Sequence, residues 1–481
     1  MIRKCVAVLT AGLFLSCAAF AQDAKTVIDN ASKAMGSLKT VEYSGSGFDF
    51  ALGQNPNPNL PWPKFIDKTY KRTMNFETPA YRMERIRMQG ENPPRGGGQQ
   101  PVVGEQTQNQ TTVVTANTPW VQQLELWMMP HGFLQAAAKN NATAASRSTG
   151  GKKYNVLTFT GQNKAMVNGY INEQNLVERV ETWIDNAMLG DMHFEAAYAD
   201  HKDFGGVKFP TKIVQRQGGH PILDLTITDV KPNGAVTIQP PQPQGQGGQP
   251  AAAAAAVPSE KLGDGVFLIL GGYAAIAVDF KDHILVIEGP QSEERASAII
   301  AKAKELIPNK PIRYVVNTHA HFDHSSGLRT FMAEGATVIT HQVNKSFVEK
   351  VGSLPHTLNP DKLAQSKRKV SVEGVGDKKV LTDGNHVVEL YHMKNILHQD
   401  GLLLVYLPKE KILLQADAYN PAAQANAQPP ATPSPYTLAL LANIERLKLD
   451  VTRIIPVHYP GDNRAVNMAE VRRWVGRTGS N

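Results

Sequence analysis

Residues 239–258 cannot be built into a core. They run Gln-Pro-Pro-Gln-Pro-Gln-Gly-Gln-Gly-Gly-Gln-Pro, then six alanines, then Val-Pro. Proline lacks the N–H that helices and sheets need, and glycine is costly to order. Six alanines are too few to hold a helix alone. The chain of 481 residues is therefore expected to fold as two bodies, 22–238 and 259–481, joined by this Pro/Gly/Gln/Ala tether.

Residues 1–21 have the pattern of an export signal. Arg3 and Lys4 precede a short apolar run, Val6 to Leu15, and Ala19-Phe20-Ala21 offers small residues for cleavage. The run is too short to span a bilayer, and no later segment reaches about 18 apolar residues, so no transmembrane segment is expected. The expectation is a periplasmic or secreted protein. Lipid anchoring at Cys17, after Leu15-Ser16, is the alternative. Cys5 and Cys17 are the only cysteines, so cleavage would leave neither a disulfide nor a thiol nucleophile. The net charge of +7 is spread thinly, with Lys367-Arg368-Lys369 the densest run. That pattern argues against a nucleic-acid partner.

The first half opens with a helical face, Val27, Ile28, Ala31 and Met35. Strand-like stretches follow at 66–75, 80–88, 154–160, 177–184, 190–198, 207–215 and 222–229, and 91–112 reads as a long loop. An α+β domain with a curved antiparallel sheet and one N-terminal helix is expected. Ala197 to Pro210 resembles a hairpin of periplasmic lipoprotein-carrier-like half-barrels, which implies a hydrophobic ligand or partner. A purely positioning role is the other reading. His131, His193, His201 and His220 lack ligand spacing.

The second half alternates strands and helices: strands at Val266–Leu270, Ala274–Val278 and Ile284–Ile287, a helix at Glu293–Leu306, a strand at Arg313–Asn317, a helix at Ser325–Glu334 and a strand at Thr337–Thr340. That rhythm is α/β. After the strand ending at Asn317 comes Thr318-His319-Ala320-His321-Phe322-Asp323-His324. Four metal-competent side chains in one strand-to-helix loop would go unsatisfied if buried without a cation. Imidazole with carboxylate suits zinc, with iron and manganese as alternatives.

This His-x-His-x-Asp-His pattern resembles the metallo-β-lactamase fold superfamily. The later motifs of that family have counterparts here: His398 in His398-Gln399-Asp400-Gly401, Asp417 ending Lys411 to Ala416, and His458 after Ile454-Ile455-Pro456-Val457. The resemblance covers 259–481 and implies an αβ/βα four-layer sandwich with two Zn2+ ions. His319, His321 and His398 would hold one ion, Asp323, His324 and His458 the other, and Asp417 would bridge them. Asp323 would also orient the attacking hydroxide. Two cations about 3.5–4 Å apart can share a water and lower its pKa towards ~7. The implied activity is a dinuclear hydrolase acting on a small-molecule ester, lactone, thioester, lactam or phosphoester.

Departures narrow the field. His321 stands where flavo-diiron reductases have Glu, and no cysteine is available for the lactamase subclass with a thiolate ligand. Asp417 is typical of glyoxalase-, lactonase- and phosphodiesterase-type members. Glu288 replaces the usual Asp. Tyr419, Asn420 and Tyr459 follow ligand positions and are candidate substrate contacts, and the insertion 421–435 is expected to overhang the cleft. His341 reads as structural, His392 as packing or a group behind the ligands, and His283, His356 and His386 as turn or loop residues. Two other functions compete: a mononuclear iron oxidoreductase of persulfide-dioxygenase type, and a non-enzymatic carrier of a hydrophobic ligand.

Overall fold

In the computed structural model the described residues are 23–91, 93–97, 101, 104–162, 164–240 and 257–477. The expected signal segment and residues 241–256 of the tether lie outside them. The amino-terminal half is built on one eleven-stranded antiparallel sheet. Within it Thr40–Phe50 pairs with His220–Pro232, joining the two ends of the described amino-terminal half. From there the order runs outward through successive hairpins, to Gln106–Val113 at one edge and Thr143–Thr149 at the other.

The opening helix Ala24–Met35 buries Val27, Ala31 and Met35, as its spacing predicts, and Asp23 caps it by accepting from the Thr26 amide. Two further helices, Trp120–Trp127 and Pro130–Lys139, correct the expectation of strands alone after the first helix. Phe133, from the second of these, lies against Gly169, where an added Cβ would come within 2.1 Å of the ring. The three helices and one face of the sheet share a single apolar core. That face is therefore filled by the chain itself and gives the hydrophobic-ligand expectation no support.

The strand Thr40–Phe50 is missed by alternation because Gly45 and Gly47 interrupt it. A Cβ at either would fall 2.0–2.1 Å from a carbonyl of the neighbouring strand. Gln106–Val113, expected as loop, is a strand. Its polar sequence suits an edge paired on one side, to Ala80–Gln89. Thr143–Thr149 and Met166–Ile171 are also strands that the sequence reading omits.

The carboxy-terminal half holds a seven-stranded and a six-stranded sheet, each with strands in sequence order. Ile284–Ile287, Ile312–Val316 and Thr337–His341 are parallel neighbours joined through helices. Their near-unbroken apolar sequence fits strands covered on both faces. The crossover helix Glu293–Leu306 starts at a Ser292 cap, with Glu293 and Glu294 in the first turn where the helix dipole favours them. One apolar core lies between the two sheets, one joins the first sheet to its helices, and one joins the second sheet to Pro435–Leu447 and Met468–Trp474.

Two contacts between the halves stand out among the described residues. At one, Asp191 accepts from the Thr357 and Leu358 amides at 2.9–3.0 Å, and its own amide donates to the Pro355 carbonyl. At the other, the connection between Thr40–Phe50 and Lys64–Asn75 reaches the loops that follow Ile312–Val316 and precede Leu403–Leu407.

Candidate metal centre

All seven expected ligand side chains converge at the carboxyl ends of strands. They form two groups whose donor atoms lie within 4.8 Å of one another: His319, His321, His398 with Asp417, and Asp323, His324, His458 with Asp417. Asp417 belongs to both. Its Oδ2 is 3.3, 3.2 and 2.8 Å from the Nε2 atoms of His319, His398 and His324, and its Oδ1 is 2.9 Å from His458 Nε2.

Local structure fixes each contributor. The Asn317 amide donates to the His319 carbonyl (2.7 Å) and the His324 carbonyl (3.2 Å), drawing the His319–His324 turn into a ring. Ser325 also donates to the His319 carbonyl, and Thr340 donates to Asn317. His398 is followed by Gln399, whose amide donates to Asn344, while the Asn344 amide reaches the Gly401 carbonyl. Asp417 sits at φ +58°, an unfavourable left-handed conformation for a residue with a Cβ. The Gln415 side chain holds that turn by accepting from the Ala418 and Tyr419 amides.

Solvent reaches the two groups unequally. The side chains of His319, His321, His398 and Asp417 are 0–2% exposed, whereas Asp323 is 31% and His458 11% exposed. The Tyr273 hydroxyl donates to Asp323 Oδ2 at 2.9 Å, and its ring lies 4.4 Å from that of His458. Burial and the facing Asp323 push this phenol above its ordinary range.

The electrostatics calls for positive charge. Burial pushes His319 down to about 3 and His321 well below the usual imidazole range, so both are neutral and able to ligate. Burial also opposes charge on His324 and Asp417, yet each holds the other ionised: the imidazole well above its ordinary value, the carboxyl well below. A cation between them answers the same demand as that proton. Nδ1 of His321 and of His398 are buried with no hydrogen-bond partner. Converging imidazole nitrogens, a shared carboxylate and orphaned buried atoms fit a divalent cation. Glu288, fully buried at φ +81°, lies 3.7 Å from His324 Nδ1, with neither oxygen hydrogen-bonded. It therefore backs the site despite its extra methylene.

Two candidate substrate contacts do not face the cleft. Tyr419 is fully buried, donates to Glu470 and packs on Trp474; Tyr459 packs in the core between the sheets and its oxygen accepts from Arg453. Asn420 does touch the site, donating to Asp417 Oδ1 at 3.4 Å. The insertion 421–435 is tied down by Arg464 and Arg473, which donate to the carbonyls of Ala422, Ala425 and Ala427. His341 caps a helix and its ring lies 3.9 Å from that of His392, whose Nε2 donates to the Asp400 carbonyl. Sequence reasoning missed Tyr273, Asn317 and Tyr436, whose ring lies 5.2 Å from that of His398. It also missed Gln54 and Asn55 from the other half of the chain. The Gln54 amide donates to Asp323 Oδ1, and His321 Nε2 donates to the Asn55 carbonyl.

Residues 279–458 match the family model described as the metallo-beta-lactamase superfamily. No curated protein matches the sequence. Among solved structures, a metallo-beta-lactamase from Pontibacter korlensis aligns at 16% identity and TM-score 0.34, covering 46% of this chain and 97% of that one. The DIM-1 metallo-beta-lactamase aligns at 14% identity and TM-score 0.35, covering 46% of this chain and 97% of its own. The arrangement of ligands on strand ends and the family match agree: the chain carries, over residues 279–458, a metallo-beta-lactamase superfamily domain, an enzyme domain of the metal-dependent hydrolase kind.

Proposed function

We propose that this protein is an exported dinuclear hydrolase of small molecules, acting on an ester, lactone, thioester, lactam or phosphoester. The observation that carries the reading is Asp417, whose two carboxylate oxygens address both histidine groups at once. His319, His321 and His398 would hold one ion, and Asp323, His324 and His458 the other, with zinc as the metal that the all-nitrogen-and-oxygen donor set suits. The chemistry the ions supply is Lewis acidity and a water made acidic enough to attack at neutral pH. We also read the three cores as the αβ/βα four-layer order, 239–258 as the tether between domains, and 1–21 as a signal for a periplasmic or secreted location.

The chain's own residues divide the remaining work. Asp323 is the most solvent-accessible ligand, which suits its carboxylate to orienting the attacking water. Tyr273 keeps that carboxylate in one rotamer by donating to Oδ2, and Gln54 does so by donating to Oδ1. Glu288 favours a proton on His324 Nδ1, leaving Nε2 to ligate.

A panel of chromogenic esters, lactones, thioesters, phosphodiesters and a cephalosporin tests the reading, with His319→Ala as the control. Turnover of one class that vanishes in the variant supports it. Turnover that persists in the variant, or oxidation of a persulfide by a single bound iron, contradicts it.

A further inference from the structure

We propose that the metal centre is shared between the two halves of the chain: the loop 51–63 of the amino-terminal half sets the binding pose of the ligands, with Gln54 and the Asn55 carbonyl as its positioning groups. The proposal rests on the dinuclear reading above.

A carbonyl only accepts, so the 2.9 Å contact from His321 to Asn55 puts the ring proton on Nε2. Nδ1 then carries the lone pair, and this is the buried, unpartnered atom of a side chain in the His319–His398–Asp417 group. Without the carbonyl, either tautomer is available and half the binding pose is lost. Gln54 acts on the other group by holding Asp323 Oδ1 at 3.0 Å, which leaves Oδ2 on the side of His324 and His458.

The loop also grips the second ligand-bearing segment. The amide of Asp400, two residues after His398, donates to the Pro56 carbonyl at 2.7 Å, and the Asp400 carboxylate accepts from Asn57 and from Arg95. Gly53 makes the approach feasible. It has φ +74°, and a Cβ there would stand 2.4 Å from the Phe322 ring, between the ligands His321 and Asp323. Ordinary domain packing could use any of these surfaces, but it would not aim a carbonyl and an amide at two ligand side chains.

Gln54→Leu removes the donor at similar size, and Gly53→Val lifts the loop from Phe322. Both are to be made in the full chain, loaded with zinc and separately with cobalt, and titrated with a competing chelator while folding is followed by circular dichroism. Supporting outer partners of metal ligands are typically worth about 10–100-fold in metal affinity. Gln54→Leu is expected to lose one ion about ten-fold more readily than the wild type, with an altered cobalt absorption spectrum and an unchanged fold. Gly53→Val is expected to weaken both ions. A folded Gln54→Leu that keeps wild-type affinity and the wild-type cobalt spectrum overturns the shared centre while leaving the hydrolase reading standing. A wild type that binds no metal overturns both.

Discussion

Each half of this chain buries a polar cluster, and the two clusters are neutralised differently. In the amino-terminal half, Asp49 and Asp67 face Arg85 and Arg87, with Arg87 2.6 Å and Arg85 3.1 Å from Asp49. Elsewhere in that half, Arg72 pairs with Glu125. The chain supplies permanent cations for its own carboxylates. In the carboxy-terminal half, the ion-pair partners of Asp323 and Asp417 among the described residues are histidines. Histidine is positive only when protonated, and a protonated imidazole nitrogen cannot ligate. Guanidinium-rich clusters carry their own fixed positive charge, whereas imidazole-rich clusters stay open to an external cation.

The strongest way to break that contrast is Asp417→Ala. Loss of the one carboxylate common to both groups is expected to weaken metal binding by more than the roughly 100-fold associated with outer partners, and to abolish hydrolysis. Elemental analysis and turnover read both. Next in size is chelation. At a metal concentration near 1,000 times Kd, bound metal contributes about 4 kcal/mol. Its removal should lower the melting temperature by roughly 10 °C, in calorimetry with and without chelator. An unchanged melt would mean that the imidazole cluster satisfies itself.

Arg72→Met sharpens the other side. It strands Glu125 and should cost on the order of 2–3 kcal/mol in urea unfolding, leaving metal content unchanged. The same half also carries a pH dependence. Burial and the facing Asp49 push the Asp67 carboxyl up to about 7, against about 3.9 in the unfolded chain. The folded state then holds a proton that the unfolded state has lost, so stability falls as pH rises from about 4 to about 7. Arg85 and Arg87 pull the carboxyl the other way and limit its shift. Asp67→Asn should flatten this slope in urea titrations, and a slope unchanged by the substitution would refute the assignment.

The open cluster was legible in the sequence and its surroundings were not. The seven candidate ligands could be picked out because each stands just after an apolar strand or, for His398, just before one, in a short motif that depends on residue identity. The contact of Asn55 with His321 spans 266 positions and uses a backbone carbonyl, which any residue supplies, so no side-chain pattern announces it. Tyr419 and Tyr459 misled because adjacency to a ligand does not set direction: the turn at Asp417 sends Tyr419 into the core. Gln106–Val113 was hidden because an edge strand with polar side chains has the composition of a loop.

The central claim is that two histidine groups sharing Asp417 hold two ions. Elemental analysis of protein purified without chelator tests it most directly. The account predicts two divalent ions per chain, zinc foremost, and loss of both in Asp417→Ala. One equivalent of iron per chain, with no second metal taken up on titration, would contradict it.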